Sequence, residues 1–143
     1  MREHMGIFRG KRIDNGEWVE GSLHTEYGET TKDGSRAIDY RILGMRGECD
    51  YVAPDTVGEC TGLTDKNGKL IFEGDIVEGH CHSAWSHRIQ RCEVAYHRDG
   101  FEARNHIDGL DSDYYTYRVL FSKDVVVIGN IVDNPELLKG GED

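Results

Sequence analysis

The stretch TGLTDKNGKLIFEGDIVE, residues 61–78, decides the fold. Its Asn67-Gly68 pair accepts positive φ at little cost and fits the primed turns that join antiparallel strands. Residues 61–64 and 70–72 therefore read as a hairpin. Gly74-Asp75 then bends the chain, and Ile76-Val77 begins a further strand. Asp75 is expected to accept backbone N–H groups in that bend, as Asx side chains do.

The same signal recurs at Asn15-Gly16, Asp33-Gly34, Asp99-Gly100 and Asp108-Gly109. Residues 7–13 and 18–23 flank Asn15-Gly16, and residues 89–97 and 101–105 flank Asp99-Gly100. Both read as hairpins. Residues 114–121, rich in aromatic and β-branched side chains, predict another strand. Residues 125–132 begin with the apolar run Val125 to Ile128 and predict a strand buried on both faces. Asn134, Pro135 and Glu136 predict a capped short helix over residues 135–138. Pro54 begins a single turn. Residues 28–35 and 79–88 read as loop tips, and residues 140–143 as a frayed tail. Ile71, Ile76, Val77, Ile128 and Ile131 are the expected core, with Trp18 and Phe72 supplying large buried area.

Composition narrows the function. The chain has 143 residues, 37% hydrophobic, with a net charge of -10. Its mean hydropathy is -0.62. That length holds one domain or two very small ones. No apolar run approaches the roughly 18 residues that cross a bilayer, and no signal-peptide pattern begins at Met1. Four cysteines without such a signal predict reduced thiols and a cytoplasmic protein. An acidic surface repels phosphate backbones and anionic lipids, so nucleic acid is disfavoured and no membrane partner is expected.

Three segments carry a resemblance. FRGKRIDNGEWVEGSL (residues 8–23), VGECTGLTDKNGKLIFEGDIVE (57–78) and VIGNIVDNPELL (127–138) together resemble the YopX family of phage and prophage proteins. The resemblance implies a core similar to small SH3-like β-barrels. It implies no catalytic residues, because the shared positions serve turns and core.

His80, His82, His87 and Cys92 have the right donor chemistry for zinc. His80 and His82 would share a strand face, but the spacing fits no standard finger. Asp108, Asp111 and Asp113 depart from the order of a calcium loop. No G-x-S-x-G elbow or phosphate-cradling G-x-x-x-x-G-K-[ST] is present. Tyr115 and Tyr117 would share one strand face. With Arg9, Lys11 and Arg12 they make a nucleic-acid surface the alternative to plain packing.

The expectation is a mainly β protein: a small SH3-like barrel or strongly bent antiparallel sheet, with an N-terminal hairpin region and a short C-terminal helix. Residues 1–56 would form the hairpin region and residues 57–139 the barrel, with an inserted loop at 79–88. The expected function is a non-enzymatic accessory protein acting by protein–protein contact, as a homo-oligomer and with an unknown protein partner. No cofactor is expected. Nucleic-acid association and metal-dependent catalysis are the alternatives.

Overall fold

The computed structural model describes residues 6–80, 89–97, 100–104 and 123–138. Those residues are mainly β. The strands are β1 (Phe8–Lys11), β2 (Trp18–Thr30), β3 (Arg36–Leu43), β4 (Cys49–Val52), β5 (Gly58–Thr64), β6 (Leu70–Phe72), β7 (Asp75–His80), β8 (Ile89–His97), β9 (Gly100–Arg104) and β10 (Val126–Asn130). They pair antiparallel in two sheets, and neither is a closed barrel among the described residues. The chain divides into two compact units between Cys60 and Thr61, inside β5. The strand expected at residues 114–121 lies outside the described residues.

In the first unit the strand order is β4-β3-β2-β1-β5. Asn15-Gly16 closes the first hairpin as expected. Gly16 has φ +73°, and its N–H donates to the Arg12 carbonyl at 2.9 Å. Asn15 Oδ1 accepts the Glu17 N–H at 2.9 Å. The ladder then sets Phe8 opposite Gly21 and Lys11 opposite Trp18.

The next hairpin corrects the sequence reading. Gly28 was expected in a loop, yet β2 runs on to Thr30 and pairs with β3, with Tyr27 opposite Ile38. The tip is confined to residues 31–35. There Asp33 Oδ1 accepts the Ser35 N–H at 3.0 Å and the hydroxyls of Ser35 and Thr31. Those donors hold the Asp33 carboxyl far below its usual range, the Ser35 hydroxyl contributing most.

The sheet curls strongly. Beyond its ladder with β3, β4 meets the end of β1 through a single bridge between Arg12 and Val52. The Ile13 N–H donates to the Tyr51 carbonyl at 3.0 Å, and the Ala53 N–H to the Lys11 carbonyl at 2.9 Å. Two glycines permit this. A Cβ on Gly21 would lie 2.0 Å from the Leu43 carbonyl oxygen, and one on Gly10 would lie 2.9 Å from Val52 Cβ. Inside the curl Ile42 and Val52 are fully buried.

In the second unit β6 follows β5, and a separate sheet runs β10-β7-β8-β9. Its core is Ile71, Val77, Cys92, Val94, Ala103 and Val125, flanked by Leu63, Phe101 and Val127. The Gly74-Asp75 bend behaves as read. Gly74 has φ +91°, its N–H donates to the Val94 carbonyl, and its own carbonyl accepts the Ile131 N–H. Asp75 Oδ2 accepts the Phe72 N–H at 2.8 Å.

Of the expected core, Ile71, Phe72, Ile76 and Val77 are buried. Trp18, Ile128 and Ile131 are only half-buried. β10 is half-buried along its whole length because it is an edge strand, paired only with β7 among the described residues. The expected burial on both faces needs a layer packed on each face, and every residue of β10 is half-buried instead. Pro135–Leu138 forms a four-residue 3-10 turn. Its Asn134 does not cap it in the expected way: Asn134 Oδ1 turns back to the Asn130 N–H at 3.3 Å.

Candidate interaction surface

Strand alternation divides β3 and β4 into two faces. Arg41 opposes Tyr51 and Leu43 opposes Cys49. Ile42 and Val52, on the other face, are fully buried. The first four therefore point outward, and Ile13 joins them through its backbone bond to Tyr51. Ile13 is 66% exposed, Tyr51 49% and Leu43 39%, with Met45 at the β3–β4 turn 95% exposed. Cys49 is an exposed free thiol. Aromatic, aliphatic and Met side chains gathered on an open face have the composition of interface cores.

Beside this patch lies a groove of about 420 Å³ lined by Arg12, Ile13, Asp14, Cys49, Asp50 and Tyr51. Arg12 donates from Nε to Asp14 Oδ1 at 3.0 Å and from Nη2 to Oδ2 at 2.7 Å. Asp50 approaches the same guanidinium at 3.5 Å. The Asp14 carboxyl is held below the usual carboxylate range, chiefly by its bond to Arg12. The Arg12 guanidinium is driven the other way, chiefly by Asp14. One cation faces two carboxylates, so the groove is acidic on balance. At its margin the Arg41 guanidinium lies 5.6 Å from the Tyr51 ring centroid and 3.1 Å from Glu26.

The cations singled out in the sequence are engaged within the first unit. Arg9, only 8% exposed, stacks 4.8 Å from the Trp18 ring centroid, and Lys11 lies 5.6 Å from the same ring. Register explains this: Lys11 is directly opposite Trp18, and Arg9 is two residues away on the same strand face. Arg12 is held by Asp14 and Asp50. Tyr115 and Tyr117 lie outside the described residues.

The zinc candidates are placed as follows. Cys92 is fully buried in the second core. His80 ends β7, where its Nδ1 pairs with Asp124 Oδ2 and its N–H donates to Asp124 Oδ1 at 3.2 Å. His82 and His87 lie outside the described residues. Among the described residues no three His, Cys, Asp or Glu side chains are grouped to hold a metal, and no helix is long and apolar enough to cross a membrane.

The family whose description reads YopX protein matches residues 7–139. The chain belongs to the YopX family. A search of curated proteins finds no match. Among solved structures, the crystal structure of protein EF1440 from Enterococcus faecalis is similar to this chain at 28% identity. That alignment covers 92% of this chain and 96% of the other, with a TM-score of 0.49. In this YopX chain the segments singled out in the sequence fall on structural corners. TDKNG forms the Asp65 turn, and GDIV the Gly74-Asp75 bend. In IGNI, a Cβ on Gly129 would lie 2.7 Å from Asn134 Oδ1 and 2.8 Å from Leu137 Cδ1.

Sequence reasoning passed over Ile13, Leu43, Met45, Cys49 and Tyr51. Their adjacency depends on β4 returning to the end of β1, a pairing of residues 40 apart in sequence. The available signal was the alternation Ile38, Tyr40, Ile42, which marks β3 as a strand with one buried face.

Proposed function

We propose that this YopX protein is a non-enzymatic accessory protein that works by contact with a basic protein partner. The contact surface is the outer face of β3 and β4 with the adjoining Arg12–Asp14–Asp50 groove. The observation that carries this reading is the exposed cluster of Ile13, Leu43, Met45 and Tyr51 beside two carboxylates. A net charge of -10 favours a partner of opposite sign. The resemblance to phage and prophage proteins gives the setting, a bacterial cytoplasm, and the exposed Cys49 thiol is in keeping with a reducing compartment. Self-association belongs to the same reading, since an exposed apolar face favours it. A clean 16.2 kDa monomer in sedimentation at micromolar concentration refutes that part.

The test is capture from bacterial lysate by immobilised wild type and by Tyr51→Glu, at low and high salt. The expected result is a basic protein retained stoichiometrically by wild type, released by salt and lost with Tyr51→Glu. Equal capture by both proteins overturns the reading. So does binding of a single-stranded oligonucleotide at low salt that Arg12→Ala abolishes, which favours a nucleic-acid role.

A further inference from the structure

β2 uses its two edges unequally. β1 covers one edge from Trp18 to Gly21, and β3 covers the other from Ser22 outward. Past Gly21 the edge on the β1 side meets no strand among the described residues. A register irregularity between Tyr27 and Thr30 disturbs the tip. The regular part of the edge left uncovered by the described residues is therefore residues 22–27, SLHTEY. Open edges are usually blunted by Lys, Pro or a bulge close at hand. Residues 22–27 contain neither Lys nor Pro, and the irregularity begins only at their far end, beyond Tyr27.

The strand is also charged in one sense only. WVEGSLHTEYGET carries Glu20, Glu26 and Glu29 and no Lys or Arg. Glu26 is shared with Arg41 on the neighbouring strand. On the open-edge strand stands Tyr27, 61% exposed, with Ile38, 38% exposed, across the ladder on β3. Backbone donors and acceptors, an apolar foothold and carboxylates thus lie together. A second copy pairing here would set glutamates against glutamates, which is unfavourable. A strand bearing Lys or Arg would meet the opposite charge.

We propose that residues 22–27 of β2 take up an extended basic segment of a partner protein as an added strand. Main-chain hydrogen bonds would supply affinity and the glutamates the selection for charge. The inference rests on the contact reading above but names a different surface and a mode of recognition.

The probe is a short synthetic peptide alternating Lys with Val and Thr, added to the isotopically labelled full chain. Its controls replace Lys by Glu or place Pro at the centre. NMR of the backbone amides is the readout. The Lys peptide should shift the amides of residues 22–27 and slow their hydrogen exchange, and the Glu peptide should not. Central Pro, or Glu20→Lys with Glu26→Lys and Glu29→Lys in the protein, should each weaken binding about tenfold. Should the triple variant fail to fold, the Pro comparison decides. Shifts confined to the Tyr51 face, no shifts at all, or undiminished binding by the Pro peptide overturn the proposal. If residues 22–27 stay silent while Tyr51→Glu still abolishes capture from lysate, this inference falls and the contact reading stands.

Discussion

Asp65 Oδ2 accepts the backbone N–H of Val127 at 3.0 Å. The other oxygen, Oδ1, accepts the N–H groups of Asn67 and Lys69, each at 2.9 Å. One buried carboxylate, 5% exposed, thus ties the β5–β6 turn to β10 across 62 residues of sequence. The Lys66 N–H adds a bond to the Val125 carbonyl at 2.9 Å. The DKNG turn and residues 125–127 are two halves of one lock within the second unit.

Asp65→Asn tests the lock. Its amide oxygen can keep the two turn donors, but its –NH2 then faces the Val127 N–H, donor against donor. Leaving a buried donor unmet costs about 1–3 kcal/mol. Urea denaturation followed by far-UV circular dichroism should show a loss of about 2 kcal/mol. An unchanged midpoint would mean that β10 is held by other contacts.

The same carboxylate sets a pH dependence. Burial alone would push its pKa up, but the N–H groups of Val127, Lys69 and Asn67 outweigh burial, and the result lies below the ordinary value. A free Asp ionises near pH ~3.9. Because the folded pKa is the lower one, the stabilisation is complete above about pH 4 and drains away as pH falls through the folded value. The stability gap between wild type and Asp65→Asn should narrow between neutral pH and about pH 3. A gap that holds constant over that range contradicts the assignment.

Glycines offer a contrast with the charge lock. Gly21→Ala places a methyl 2.0 Å from the Leu43 carbonyl oxygen, whereas Gly28→Ala meets only ordinary contact with Ala37 at 3.4 Å. Overpacking of this kind costs about 1–3 kcal/mol, and more when rigid backbone is the obstacle. Gly21→Ala should leave little folded protein at room temperature. Gly28→Ala should be neutral or stabilising by up to about 1 kcal/mol, because strand glycine carries an entropic penalty. Thermal melts of the two variants decide it, and equal melting temperatures would contradict the curled sheet.

The local turns were legible because each is written in two adjacent residues. Gly16, Gly68 and Gly100 all carry positive φ where an Asn-Gly or Asp-Gly pair predicts it, and the strands flanking them follow. Asp75 was legible for the same reason, its partner Phe72 being three residues away. Asp65 was not, since its defining bond joins residues far apart. β3 was hidden because Asp39 and Arg41 make its outward face polar and Arg36 begins the face that Ile42 buries. The basic cluster at Arg9, Lys11 and Arg12 read as a surface feature only because Trp18, Asp14 and Asp50 are brought to it by the first hairpin and by β4.

Thiol reactivity separates the outer face of the first unit from the two cores. Cys49 is exposed while Cys60 and Cys92 are buried. Of the three described cysteines, native protein treated with iodoacetamide should be alkylated at Cys49 first, with Cys60 and Cys92 following only on unfolding, as read by mass spectrometry of peptides. Early labelling of Cys92 would contradict its place in the second core.

The contact face itself is tested most directly by repeating that alkylation on the complex captured from lysate. A partner seated on the outer face of β3 and β4 covers the Cys49 thiol, so its labelling should slow markedly relative to the free chain. Labelling of Cys49 at the same rate, bound and free, would contradict the account.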